Sequence, residues 1–297
     1  MTQKKNKEKA VKIPKSTRKG YIQSISKKGF HKVAYRDWGS VKSDETVFCL
    51  HGLTRNSHDF DQLAKTLSEK RRVVCPDTVG RGKSDWLDIP SQYQLAQYNV
   101  DLTVLANKIG CTEFDIIGTS LGGLMGIVMA GMKNSPVRRL IINDIAPEVP
   151  FEALRRLTAY LGQKMHFDDL DAVEAFLRDS LSPFGPMTDD DWARMAISSS
   201  HEKDGGFNLS YDPAISKNYK KFWQLIYFNL WKYWNNIECP VLILRGMDSD
   251  FLSEPLLKRM KKRLPHADVI EFEGVGHTPT LNAPIQIDPI LEWIENN

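Results

Sequence analysis

No apolar run in this chain approaches the roughly 20 residues that a helix needs to cross a bilayer. The longest small and apolar stretch, residues 121–132, falls well short. Residues 1–19 also lack a hydrophobic segment of the length used by secretory leaders, so a signal peptide is not expected. Cysteine is scarce: Cys49, Cys75, Cys111 and Cys239 are widely spaced, three of them in or beside expected strands, and no two form a ligand-like pair. That pattern excludes a thiolate metal site and favours reduced thiols in a cytoplasmic protein. No motif for a metal or organic cofactor is visible, and none is expected.

What is present is lopsided in charge. The formal net charge is +3, yet residues 1–19 hold seven Lys and Arg18 against Glu8, a local +7, which leaves −4 for the rest. The body is therefore mildly acidic and the start of the chain reads as a solvated, disordered basic tail. Clustered lysines attract polyanions, but the tail has no interleaved aromatics and no folded basic face, so no nucleic-acid partner is expected. With 297 residues and 41% hydrophobic content, the chain can bury one full core.

Periodicity gives the fold class. A hairpin over 21–37 precedes strands and helices in alternation: strand 46–50, helix 59–69, strand 72–76, helix 95–109, then the run Phe114-Asp115-Ile116-Ile117 and a strand over 137–144. Such alternation predicts an α/β fold whose mostly parallel, doubly wound sheet is covered on both faces. The pattern lapses over 148–236 and resumes at Val241, with closing helices over 256–264 and 285–294. We therefore expect a core of residues 20–147 and 237–297 and an inserted helical cap at 148–236. The second half of the insert is aromatic, with Phe222, Trp223, Tyr227, Phe228, Trp231, Tyr233 and Trp234. Most of these rings are expected to pack cap on core; Trp223 and Phe228, on different helical faces, are the candidates to face a substrate.

Gly118-Thr119-Ser120-Leu121-Gly122 joins a strand to a helix of small residues. A serine hydroxyl is a poor nucleophile unless a tight turn lifts it toward a base, and glycines two residues either side give strand and helix room to meet. Ser120 is the candidate nucleophile. His277, in Gly274-Val275-Gly276-His277-Thr278-Pro279, sits on a flexible loop past an expected strand and is the candidate base; the other six histidines lack that placement. For the acid, Asp248 and Asp250 both follow the run Val241-Leu242-Ile243-Leu244-Arg245-Gly246. Asp250, farther past the strand, is preferred. Asp144, ending the strand over 137–144, is a rival whose expected role is a turn or capping carboxylate. Val47-Phe48-Cys49-Leu50-His51-Gly52-Leu53 runs a strand into a His-Gly turn. The amides of Leu53 and Leu121 are the expected oxyanion donors, with His51 structural. Arg55 and Arg81 lie in loops at the expected binding edge; either can grip an acidic substrate or pair with Asp59 and Asp77.

Leu50-His51-Gly52-Leu53, Pro76-Asp77-Thr78-Val79-Gly80-Arg81-Gly82-Lys83-Ser84, Gly118-Thr119-Ser120-Leu121-Gly122-Gly123 and Gly274-Val275-Gly276-His277 together resemble the α/β-hydrolase superfamily, over nearly the whole chain from about Gly20 onward. More narrowly, Gly52-Leu53-Thr54-Arg55-Asn56 and Arg245-Gly246-Met247-Asp248-Ser249-Asp250 resemble bacterial esterase-like hydrolases. In those relatives the acid is the aspartate directly after the serine, which favours Asp250. Related dehalogenases and epoxide hydrolases carry aspartate where this chain has Ser120, so neither chemistry is expected. These residues and the resemblance imply a cofactor-free serine hydrolase, a carboxylesterase that acts on a small to medium, partly apolar ester through an acyl-serine intermediate. A carbon–carbon bond hydrolase, a thioesterase and a non-catalytic receptor are the alternatives.

Overall fold

Long apolar runs build the centre of the molecule. The computed structural model describes residues 14–162, 165–181, 184–185, 187–217 and 229–297. Strands β1 (Arg18–Ser26), β2 (Gly29–Trp38), β3 (Thr46–Leu50), β4 (Arg72–Pro76), β5 (Phe114–Thr119), β6 (Val137–Asn143), β10 (Val241–Gly246) and β11 (Asp268–Phe272) form one sheet. Its order is β1-β2-β4-β3-β5-β6-β10-β11. β1 with β2 and β2 with β4 are antiparallel, and the remaining pairs are parallel. β3, β4 and β10 are buried along their whole length, as strands covered on both faces must be.

Successive side chains of a strand point to opposite faces. Phe48, Leu50, Ile116, Ile142 and Ile243 accordingly join one core with α2 (Leu95–Lys108) and α3 (Leu121–Ala130). Val47, Cys49, Ile117, Ile141 and Leu242 join the other, with α1 (Asp61–Leu67) and the C-terminal helix Pro284–Asn296. The hairpin, the alternation and the closing helices follow the expectation.

Among the described residues, 148–236 add no strand to the large sheet. They hold α4 (Phe151–Tyr160), α5 (Leu170–Ser180) and α6 (Asp189–Ser199), with a small core of Val173, Leu177, Leu181, Trp192, Met195 and Ala196. They also hold an antiparallel sheet, β7 (His166–Phe167), β8 (Ser200–Lys203) and β9 (Gly206–Leu209), that the helical expectation omitted. Asp204 and Gly205, both at positive φ, turn β8 into β9, the backbone that an Asp-Gly pair suits. Among the described residues no helix is long and apolar enough to cross a membrane.

The expected tail boundary at residue 19 is too late. Arg18 already belongs to β1 and forks onto Asp37 at 2.9–3.0 Å, and the Pro14 carbonyl accepts a hydrogen bond from Arg36. Asp37 is buried and draws Arg18 and Arg72 together, which ties this stretch to the sheet. Residues 1–13 of the expected tail lie outside the described residues.

Candidate active site

The turn between β5 and α3 holds Ser120 at φ 50°, ψ −109°, a region that only a surrounding scaffold can enforce on a non-glycine residue. That scaffold is visible: a Cβ on Gly118 would strike the Gly122 backbone, and one on Gly122 would strike the Leu50 carbonyl. The Ser120 amide donates to the Asn143 carbonyl at the end of β6. Its hydroxyl lies 3.1 Å from His277 Nε2.

His277 Nδ1 donates to Asp144 Oδ2 at 2.7 Å, so the carboxylate against the imidazole is that of Asp144 and not Asp250. Asp144 follows β6 and is fully buried. A buried carboxylate must be satisfied by donors. Gly246 N–H donates to Oδ1 at 3.0 Å and the Ser249 hydroxyl to Oδ2 at 2.5 Å, completing a set of three with His277. Asp250 turns the other way, to Arg156 of α4 at 2.8 and 2.9 Å, and is half-exposed. The cause is alternation along the loop: Ser249 and Phe251 point inward, which sends Asp250 outward. Phe251 stacks on the imidazole, with centroids 3.8 Å apart and planes 15° from parallel. Asp248 is exposed as well.

A family model for the α/β hydrolase fold spans residues 45–284. The chain belongs to the α/β hydrolases. Over 280 residues it is 37% identical to the 3-hydroxybutyrate-oligomer hydrolase of Cupriavidus necator, covering 92% of this chain and 96% of that protein. It is 27% identical to the 2-(acetamidomethylene)succinate hydrolase of Mesorhizobium japonicum over 258 residues, 85% of this chain and 89% of that protein. Among solved structures it is similar to an α/β hydrolase of Novosphingobium aromaticivorans, with a TM-score of 0.83, 31% identity and coverage of 94% and 98%. The α/β hydrolase described here is thus an enzyme of the serine-hydrolase type.

Around the Ser120–His277 pair the hydrolase arranges its first loops tightly. Gly52 packs beside Ser120, where a Cβ would lie 3.9 Å from that of the serine. Leu53 follows it, and Leu121 opens α3, where the first N–H groups lack intrahelical partners. Among the described residues neither amide has a backbone partner. His51 is buried and holds the turn: Nδ1 donates to the Gly52 carbonyl at 2.7 Å and Nε2 accepts from Thr78 N–H at 2.9 Å. Burial pushes its pKa down, consistent with a neutral, structural imidazole.

Both candidate arginines have protein partners. Arg55 forks onto Asp59 and gives Nη1 to Ser199 of α6 at 2.8 Å, so it ties the core loop to the inserted segment. Arg81 is fully buried and donates to the Leu53 carbonyl at 2.8 Å and to Tyr98 Oη at 2.9 Å, fixing the turn that carries the Leu53 amide. Trp223 and Phe228 lie outside the described residues. A small cavity of about 30 Å³, lined by Phe60, Thr119, Phe184, Met195, Thr278 and Asn282, opens between the loops flanking Ser120 and His277 and the inserted segment. A second, of about 20 Å³, is lined by residues that include Thr54, Arg55, Phe176, Leu177, Leu209 and Tyr211.

Proposed function

We propose that this hydrolase is a carboxylesterase that cleaves short esters through an acyl-enzyme on Ser120, with residues 148–236 as its cap. The observation that carries the reading is the chain of hydrogen bonds from Ser120 Oγ through His277 to the buried Asp144. His277 Nε2 takes the hydroxyl proton as Oγ attacks the ester carbonyl carbon. The negative charge moves to the carbonyl oxygen, where the Leu53 and Leu121 amides stabilise it. The C–O bond to the alcohol then breaks and the imidazolium returns its proton to the departing oxygen. Water, deprotonated by the same imidazole, repeats the addition and releases the acid and Ser120. Asp144 holds the tautomer and supports the imidazolium. It fills the role first expected of Asp250.

The similarity to a 3-hydroxybutyrate-oligomer hydrolase favours linear oligoesters of a short hydroxy acid. The test is a panel of p-nitrophenyl acetate, butyrate and octanoate beside dimers and trimers of 3-hydroxybutyrate, sampled before the steady state. A burst of p-nitrophenol and release of 3-hydroxybutyrate are expected. Ser120→Ala should abolish the burst and lower kcat on the order of a million-fold if serine and base act as a unit. Retention of most activity in that variant would refute the assignment.

A further inference from the structure

Three consecutive residues after β10 touch three parts of the site. Ser249 donates to Asp144, Asp250 accepts the fork of Arg156, and Phe251 stacks on His277. Arg156 belongs to α4 in the cap, and its guanidinium also stands 5.8 Å from the Phe251 ring centroid. A single side chain of the cap thus reaches both the acidic neighbour of the imidazole and the ring against which the imidazole lies.

We propose that Arg156 and Asp250 are positioning residues for His277: the pair docks the cap onto Phe251, and its two opposed charges set how readily the imidazole takes a proton. The inference rests on the reading of His277 as the base.

Geometry argues for such a role over a purely stabilising one. Both partners are close to half-exposed, at 41% and 44%, and exposed pairs add little to stability. A two-pronged guanidinium–carboxylate contact nevertheless fixes orientation well. Phe251 is nearly inaccessible, and its N–H and that of Leu252 both donate to Ser249 Oγ at 3.1 Å, so the ring is held from the backbone side as well.

The charged and polar groups around the imidazole come from four elements: Asp144 after β6 and Ser120 before α3 are in hydrogen-bond contact with it, while Asp250 after β10 and, beyond it, Arg156 of α4 point outward and act only through their charges. Burial acts to raise the Asp250 pKa, but the Arg156 hydrogen bond and charge, with a smaller contribution from His277, hold it below the usual carboxylate range. Asp250 is therefore ionised and within electrostatic reach of the ring.

The two substitutions have opposite signs. Arg156→Gln leaves the Asp250 carboxylate unneutralised, which favours the imidazolium. Asp250→Asn removes the carboxylate charge that acts on the ring, which disfavours it. A partly exposed charge acts through a water-like medium, so the shift is on the order of a few tenths of a pH unit, and salt screens it.

The experiment follows the His277 imidazole by NMR through a pH titration, its signal assigned by its loss in His277→Asn. Wild type, Arg156→Gln, Asp250→Asn and the charge-conserving Arg156→Lys are compared at low and high salt. The proposal expects the midpoint to rise in Arg156→Gln, fall in Asp250→Asn, stay near wild type in Arg156→Lys, and converge in high salt. The acidic limb of kcat/KM against pH should move in the same directions. Midpoints that do not move, or that move together, would overturn it. The NMR readout needs no substrate, so its failure is distinguishable from a failure of the ester reading, which Ser120→Ala reports.

Discussion

Asp144 has zero exposure and three donors converge on its carboxylate, the shortest of those contacts coming from Ser249. The same hydroxyl accepts the amides of Phe251 and Leu252, so it links the acid to the loop that carries the stacked ring. Ser249→Ala removes a hydrogen bond to a charged group, worth roughly 1.5–3 kcal/mol. Steady-state kinetics on a p-nitrophenyl ester should show kcat down roughly tenfold, with KM little changed; an unaltered kcat would remove Ser249 from the account. At this scale the sequence was legible where chemistry imposes a local pattern. Ser120 is marked by glycines on both sides, His277 by the two glycines that precede it, and each by a strand before it. The acid is not so marked, because a carboxylate after a strand looks the same whether it caps a turn or meets an imidazole. Asp144 and Asp250 both stand in the right order, and what separates them is which way each points, a property of the folded loop.

At the scale of elements, the elbow is a packing solution as much as a chemical one. β3 and β5 are hydrogen-bonded neighbours, and α3 leaves β5 so steeply that Gly122 passes directly over the Leu50 carbonyl. Gly122→Ala should therefore cost at least about 2 kcal/mol, since backbone cannot yield as a side chain can. Thermal unfolding should show a melting temperature several degrees lower; an unchanged transition would mean that strand and helix have slack there. The core elements were readable because apolar runs and amphipathic stretches alternate. The insert was read less well: its β8–β9 hairpin spans four residues a side and shows few apolar positions, although Asp204-Gly205 was a turn signal.

At the scale of the whole molecule, ion pairs tie distant parts of the chain together. Away from the site, Glu45 lies beside Arg71, Arg138 and Arg139, and the two last also reach the buried Asp115. Burial acts to raise the Glu45 pKa, but the three guanidinium groups outweigh it and hold it below its ordinary value. Its contribution to stability is thus fully present above the ordinary carboxylate range and is lost as pH falls through the lowered folded value. Melting temperature should drop across that acidic window, and Glu45→Gln should flatten the drop; equal slopes would contradict this.

The sheet order also explains how residues 120, 144 and 277 meet. β5, β6 and β10 are adjacent, so the ends of β5 and β6 present Ser120 and Asp144 side by side, and the loop after β11 brings His277 across both. The most direct test of that convergence compares kcat for Asp144→Asn and Asp250→Asn on one ester at the pH optimum. The account predicts a loss on the order of 10⁴-fold for Asp144→Asn, which leaves the imidazole without its orienting carboxylate, and at most about tenfold for Asp250→Asn. The reverse ranking would contradict it and return the acid's role to Asp250.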